Sequence, residues 1–160
     1  LSAASIGEES FLEFVLNTIE RHRVPTRLLC FEITETAAIA NLNAALVFMR
    51  TLKNIGCLFA LDDFGSGLSS FAYLKNLPVD FVKIDGSFVR EIAQDPIARA
   101  MVGSINTVAH EMGLRTVAEC VEHGDILAVL TELGVDYAQG YHLGYPQPLS
   151  ELAGVRLMPR

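Results

Sequence analysis

Cysteine and positive charge are both scarce in this 160-residue chain, and it has no long apolar run. The three cysteines, Cys30, Cys57 and Cys120, are odd in number, far apart and each beside a strand-like run, which excludes a disulfide framework and a zinc ribbon. Such cysteines suit a reducing cytoplasm. Twelve basic residues against nineteen acidic ones leave a formal charge of −7, which argues against nonspecific attraction to a phosphate backbone, so no polymeric nucleic acid is expected as a partner. No segment approaches the roughly 20 apolar residues of a membrane span, and the start lacks the charged-then-apolar grammar of a signal peptide, so this segment is expected to make no membrane contact. A histidine cluster is also missing: His22, His110, His123 and His142 fall in a connector, at helix ends and in a late loop, where solvated or capping roles are expected. The chain starts at Leu1 without an initiator Met and ends in Pro159-Arg160, which leads to the expectation that it is part of a larger protein.

What is present is 51% apolar residues, enough for the core of one domain. Apolar positions recur at helical spacing from Phe11 to Ile19, with Ser10 placed to cap, and again at Leu42, Ala45, Leu46, Met49 and Leu52 behind Asn41. Phe71 to Leu77 is a short helix ended by Pro78. Asp95-Pro96 opens a long helix that runs to Gly113, and Asp125 to Leu133 forms another, stopped by Gly134. Between them lie strand-like runs at Leu28 to Ile33, Cys57 to Leu61, Asp80 to Ile84, Leu114 to Ala118 and Val135 to Ala138.

Strands alternating with helices predict a parallel sheet with right-handed crossovers, in either a doubly wound sheet or a barrel. Each strand ends in a polar residue: Glu32, the Asp62-Asp63 pair, Lys83 with Asp85, Glu119, and Gln139. In a barrel such ends converge on one axis, whereas an open sheet forms its site at one switch point, so the pattern favours the barrel. A full barrel has eight strands. The expected fold is therefore α/β, a partial TIM-type (β/α) barrel of about five parallel strands alternating with helices.

The stretch Leu58 to Gly67 is the focus. There an apolar strand is read as stopping at two adjacent carboxylates, followed at once by a loop with two glycines. Adjacent acids repel unless a cation, a proton or a hydrogen-bond donor meets them. Glu32, Asp62, Asp63 and Glu119 offer hard oxygen donors suited to Mg²⁺ or Mn²⁺. Lys83, flanked by Phe81, Val82 and Ile84, is costly in a buried strand unless carboxylates or a substrate phosphate accept its charge. Any one of these acids is equally readable as a helix cap. Together, each just past an apolar strand, they read as a site.

Five motifs in order, Phe31-Glu32-Ile33-Thr34-Glu35, Asp62-Asp63-Phe64-Gly65-Ser66-Gly67, Val82-Lys83-Ile84-Asp85, Ala118-Glu119-Cys120-Val121-Glu122 and Gln139-Gly140-Tyr141, resemble the EAL domain family from Leu1 to about Pro148. The resemblance implies a modified TIM barrel that hydrolyses cyclic di-GMP to the linear dinucleotide with two Mg²⁺ or Mn²⁺ ions. By position it makes Glu32, Asp62 and Glu119 metal ligands, puts Asp63 at the second metal, and gives Lys83 a part in activating the attacking water. Glu35 resembles the acid that braces the loop after Asp63, Gln139 a residue that orients groups in the pocket, and Asp85 a substrate-side candidate.

The departures from the family pattern bear on what the chain does alone. The Glu-Ala-Leu signature is absent, because Ala44-Ala45-Leu46 follows the Glu32 strand where the signature precedes it. Leu1-Ser2-Ala3 resembles the tail of the family's Asn-Leu-Ser segment, so two family metal ligands and the phosphate-contacting Arg fall outside the chain. The expectation is a phosphodiesterase domain whose C-terminal portion is this chain, with little activity by itself. The alternative is a non-catalytic receptor for the nucleotide or an interaction module. Cys120 stands where the family usually has Gly, with retained geometry expected. A homodimer or higher self-association is expected, through the segment from Phe64 to Leu77, with Phe64, Leu68 and Phe71 as candidate contacts or as core.

Overall fold

The structure, a computed structural model, describes residues 1–65 and 71–148. The chain opens with helices α1 (Ala3–Gly7) and α2 (Glu9–His22), followed by a 3-10 turn at Thr26–Leu28. Strands and helices then alternate: β1 (Cys30–Thr34), α3 (Glu35–Ala40), α4 (Leu42–Asn54), β2 (Leu58–Phe64), α5 (Phe71–Leu74), β3 (Phe81–Ile84), α6 (Gly86–Val89), α7 (Pro96–Glu111), β4 (Arg115–Ala118), α8 (Gly124–Glu132) and β5 (Tyr137–Ala138). The five strands form one parallel sheet whose order, β1-β2-β3-β4-β5, is the order of the chain. The expected parallel α/β architecture is thus present.

Helix starts follow their caps. Asn41 accepts from the Ala44 N–H at 3.3 Å and opens α4, while Asp95 accepts from the Ile97 N–H at 2.8 Å with Pro96 in the first turn of α7. Helix α2 starts earlier than expected, at Glu9, with Glu8 rather than Ser10 at its cap position. Two short helices that apolar spacing does not reveal, α3 and α6, start on local side-chain acceptors. Thr34 Oγ1 accepts from the Ala37 N–H at 3.3 Å, and Asp85 Oδ1 from the Ser87 N–H at 2.8 Å. The glycines at 113 and 134 follow α7 and α8 with φ of 74° and 72°, the left-handed conformation that ends a helix at little steric cost.

The strand period of two separates the faces of the sheet. One face carries Ile33, Phe59, Leu61, Val82, Ile84 and Ala118, all nearly inaccessible, packed under the helices with Phe48, Met49, Leu52, Val102 and Ile126. The opposite face lines a concave surface with Cys30, Glu32, Leu58, Ala60, Phe81, Lys83, Val117, Tyr137 and Gln139. Phe64 is 1% exposed and belongs to the core, which removes it as a surface contact; Leu68 and the Phe71 side chain lie outside the described residues.

At the N-terminal ends of β4 and β5 a polar network ties the sheet to α7. Asp136 accepts from the Thr116 N–H at 2.8 Å, from the Thr116 hydroxyl at 3.1 Å and from His110 Nε2 at 2.8 Å, so the His110 ring is a hydrogen-bond partner rather than a freely solvated group. Asn106, buried, donates to the Leu133 carbonyl at 2.9 Å and receives the Thr116 hydroxyl at 2.5 Å. Partial burial pushes the Asp136 carboxyl up, but the Thr116 N–H, His110 and the Thr116 hydroxyl outweigh it and hold the pKa below the usual aspartate value. A depressed folded-state pKa means stability that is present above the unfolded aspartate pKa of about 3.9 and lost as pH falls through the folded value. Asp136→Ala is therefore expected to lower unfolding free energy by about 1 kcal/mol at pH 7, with the difference from the unaltered protein shrinking in urea titrations as pH falls below the ordinary aspartate range.

Candidate active site

Parallel strands deliver their C-terminal ends to one edge of the sheet, and the acids and Lys83 lie there. Glu32 of β1, Asp62 of β2 and Lys83 of β3 share the concave face, and Glu119 follows directly after β4. Lys83 Nζ donates to Asp62 Oδ1 at 2.7 Å, Glu119 Oε1 at 2.8 Å and Glu32 Oε2 at 3.1 Å, so one ammonium uses its three protons on carboxylates from three strand ends. The lysine is 5% exposed, while the Glu32 side chain remains half open to solvent. Burial alone would lower the Lys83 pKa. The hydrogen bonds to Asp62, Glu119 and Glu32 overcome that and hold it well above the ordinary lysine range, so the buried group is a cation.

The Asp62-Asp63 pair needs a break in strand geometry, because successive side chains of a regular strand point to opposite faces. Strand β2 does not stop at the acids as the sequence suggests; it runs on to Phe64, with an irregular register against β3 between Leu61 and Phe64. At the irregularity Asp63 has φ of 56°, a left-handed conformation that Asp tolerates better than most residues. The result is that Asp62, Asp63 and Glu119 each present a carboxylate oxygen within 4.8 Å of the others. Burial raises the pKa of both Asp63 and Glu119. For Asp63 the neighbouring Asp62 and Asp85 add to the rise, and for Glu119 Lys83 opposes it.

These residues fit a divalent cation. The donors are all hard oxygens, they converge, and two of them are pushed towards protonation by burial and, after it, by neighbouring acids, which bound positive charge would offset. The remaining expected residues sort themselves by contact. Glu35, 4% exposed at the start of α3, accepts from the Gly65 N–H at 3.3 Å and so braces the backbone just after the acid pair. Asp85 caps α6 and faces the cluster electrostatically, without joining the converging oxygens. Gln139 borders a cleft of about 220 Å³ together with Arg90, Glu119, Cys120, Glu122, Gly140 and Tyr141.

Arg90 and Gly86 of the β3–α7 connection escaped the sequence reading. Neither lies on a periodic stripe, and the only signal was the Asp85 cap, which would have placed a one-turn helix beside the Glu119 loop. Cys120 adopts φ of 56°, so the backbone conformation natural to Gly is kept with a side chain in place.

The family model for the EAL domain matches residues 1–146. Among curated proteins, the chain is 47% identical over 150 residues to the cyclic di-GMP phosphodiesterase PdeB of Shewanella oneidensis, covering 94% of this chain and 18% of that protein. It is 39% identical to the cyclic di-GMP phosphodiesterase PdeF of Escherichia coli, covering 93% of this chain and 20% of that protein. Among solved structures, the PaMucR phosphodiesterase in complex with c-di-GMP superposes with a TM-score of 0.89 at 37% identity, over 95% of this chain and 62% of that one. The FimX EAL domain of Pseudomonas aeruginosa bound to c-di-GMP gives 0.86 at 32% identity, over 92% and 60%. The chain thus spans about a fifth of the length of the curated relatives and under two thirds of these solved chains. Their folds are TIM-like barrels, on which the five-stranded parallel sheet here superposes.

The crowding of acids has a measurable consequence. Asp63→Asn, which tolerates the same backbone conformation, is expected to raise the melting temperature of the metal-free protein by about 2 °C in calorimetry, since it removes a charge the fold disfavours. The same substitution should weaken any divalent-cation binding at the cluster about tenfold or more in titration calorimetry. Motif order, sheet topology and superposition agree, and this chain belongs to the EAL domain family.

Proposed function

We propose that this chain forms the catalytic edge of a cyclic di-GMP phosphodiesterase domain, which hydrolyses the cyclic dinucleotide to linear pGpG with two Mg²⁺ or Mn²⁺ ions. The observation that carries this reading is the convergence of the Asp62, Asp63 and Glu119 oxygens within 4.8 Å, beside a buried Lys83. Asp62, Asp63, Glu119 and Glu32 would hold the cations, which supply Lewis-acid charge that acidifies water and neutralises the phosphodiester. The relatives named as cyclic di-GMP phosphodiesterases and the solved complexes with c-di-GMP support the substrate.

The chain's own residues then have distinct tasks. Lys83 in the metal-free state neutralises part of the acid cluster. With Asp62 and Glu119 engaged as metal ligands, Lys83 would have an N–H available for a substrate phosphate oxygen and a lower proton affinity than beside three free carboxylates. It is thereby suited to stabilise developing charge or to accept the proton of the attacking water. Glu35 holds the Gly65 backbone and with it the approach of the loop to Asp63. Gln139 and Asp85 border the cluster from β5 and β3 and are suited to orient the dinucleotide.

Activity in this reading belongs to the assembled domain, and the isolated chain, which spans 62% of one such solved protein, is expected to be inactive. A cytoplasmic setting fits the substrate; no helix among the described residues is long and apolar enough to cross a membrane. The homodimer expected through residues 64–77 is part of the same reading, and light scattering of the assembled domain checks it.

Hydrolysis by a protein that carries this chain within a complete domain, assayed with Mn²⁺ by separating pGpG from cyclic di-GMP, tests the proposal. Turnover is the expected result, and binding of the dinucleotide without turnover would replace it with the receptor reading. Lys83→Ala is expected to lower kcat by about 10²-fold or more while KM changes by less than about threefold.

A further inference from the structure

The loop that carries Glu119 is held from two sides. On one side Val121, inaccessible to solvent, donates its N–H to the Gln139 carbonyl at 3.0 Å and accepts from the His142 N–H at 3.0 Å. Gly140 lies so close there that a Cβ on it would sit 2.3 Å from the Val121 nitrogen. On the other side the Glu119 N–H donates to the Ile84 carbonyl at 3.3 Å, and Cys120 packs directly on Gly86. Arg90 crosses the same point, with Nη2 donating to Cys120 Sγ at 3.1 Å and Nε to Glu122 Oε1 at 3.4 Å.

The packing at Gly86 leaves no room for a side chain. Its φ is not the reason, since its residue starts a right-handed helical turn; the reason is space. A Cβ at position 86 would lie 2.5 Å from Cys120 Sγ and 2.9 Å from Cys120 Cβ. Rotating the thiol away would relieve the first contact only. The second is fixed by the backbone of Cys120, which is already in the left-handed region, and the residue before it is Glu119. Because Val121 is anchored against Gly140, any displacement of Cys120 is taken up at the Glu119–Cys120 peptide.

We propose that Gly86 and Cys120 act as a coupled positioning pair for Glu119, the empty space at position 86 setting where the Glu119 carboxylate stands relative to Asp62 and Asp63. This rests on the reading of Glu119 as a metal ligand for its functional consequence. Neither member of the pair belongs to the converging oxygens; the pair acts through the backbone of Glu119, which does.

The test uses Gly86→Ala alone and together with Cys120→Gly, in the chain as it stands. Nitrogen-15 amide spectra should show the Glu119 and Val121 resonances displaced in Gly86→Ala and returned towards their original positions in the double variant. Mn²⁺ affinity, read from relaxation of water protons, should fall about tenfold in Gly86→Ala and recover to within about threefold in the double variant. If Gly86→Ala does not fold, recovery of folding by the added Cys120→Gly supports the pair, and a double variant that stays unfolded overturns it. Unmoved Glu119 and Val121 resonances in a folded Gly86→Ala, or displacement that Cys120→Gly does not reverse, also overturn it. Absence of Mn²⁺ binding by the unaltered chain would count against the metal reading instead, leaving the amide displacements to decide the pair.

Discussion

A protonated amine with almost no access to water is the constraint around which the other features are arranged. Lys83 is tolerable in the sheet because three carboxylates meet its three protons, and those carboxylates come from strands that are distant in sequence and adjacent in space. Removing any one acid leaves a buried charge short of a partner, and removing the lysine leaves acids facing one another. The cluster therefore requires the parallel register that places Glu32, Asp62 and Glu119 at the same edge.

The acid pair shows how local backbone distortion serves that edge. An ordinary strand would turn Asp62 and Asp63 away from each other. The irregularity in β2 and the left-handed conformation at Asp63 turn both towards Glu119, at the cost of some strain and electrostatic repulsion in the metal-free protein. Glu35 supports the distortion from behind by engaging the Gly65 N–H. Strain of this kind is economical only where a ligand relieves it, which is the physical content of calling the cluster a site.

Much of this was legible in the sequence, for identifiable reasons. Strand runs such as Asp80 to Ile84 carry their composition openly, and the cap at Asp95-Pro96 marks the start of α7 without ambiguity; its buried face does not follow from its largest apolar residues, since α7 buries Ala98, Val102, Ile105 and Ala109 and leaves Ile97 and Met101 exposed. The candidate acids and Lys83 stood out because charge in or just past an apolar strand is expensive. What escaped was set by single hydrogen bonds or by shape. Helices α3 and α6 are one or two turns held by Thr34 and Asp85 caps, too short to show a period. The continuation of β2 through Asp63 depends on a backbone angle that no residue pattern announces. Gly86 reads as an ordinary loop glycine until the Cys120 side chain is seen filling the space above it.

Strand order equal to chain order has a consequence for how the molecule comes into being. Each strand pairs with the one made just before it, so the sheet can be laid down from β1 to β5 as the chain leaves the ribosome, without waiting for a distant partner. Lys83 is the exception. When β3 first docks, only Glu32 and Asp62 are there to receive it, and the third acceptor arrives with the end of β4. The charge of Lys83 is therefore met in full only when β1, β2 and the end of β4 stand together, so one buried group registers whether the whole sheet has been assembled.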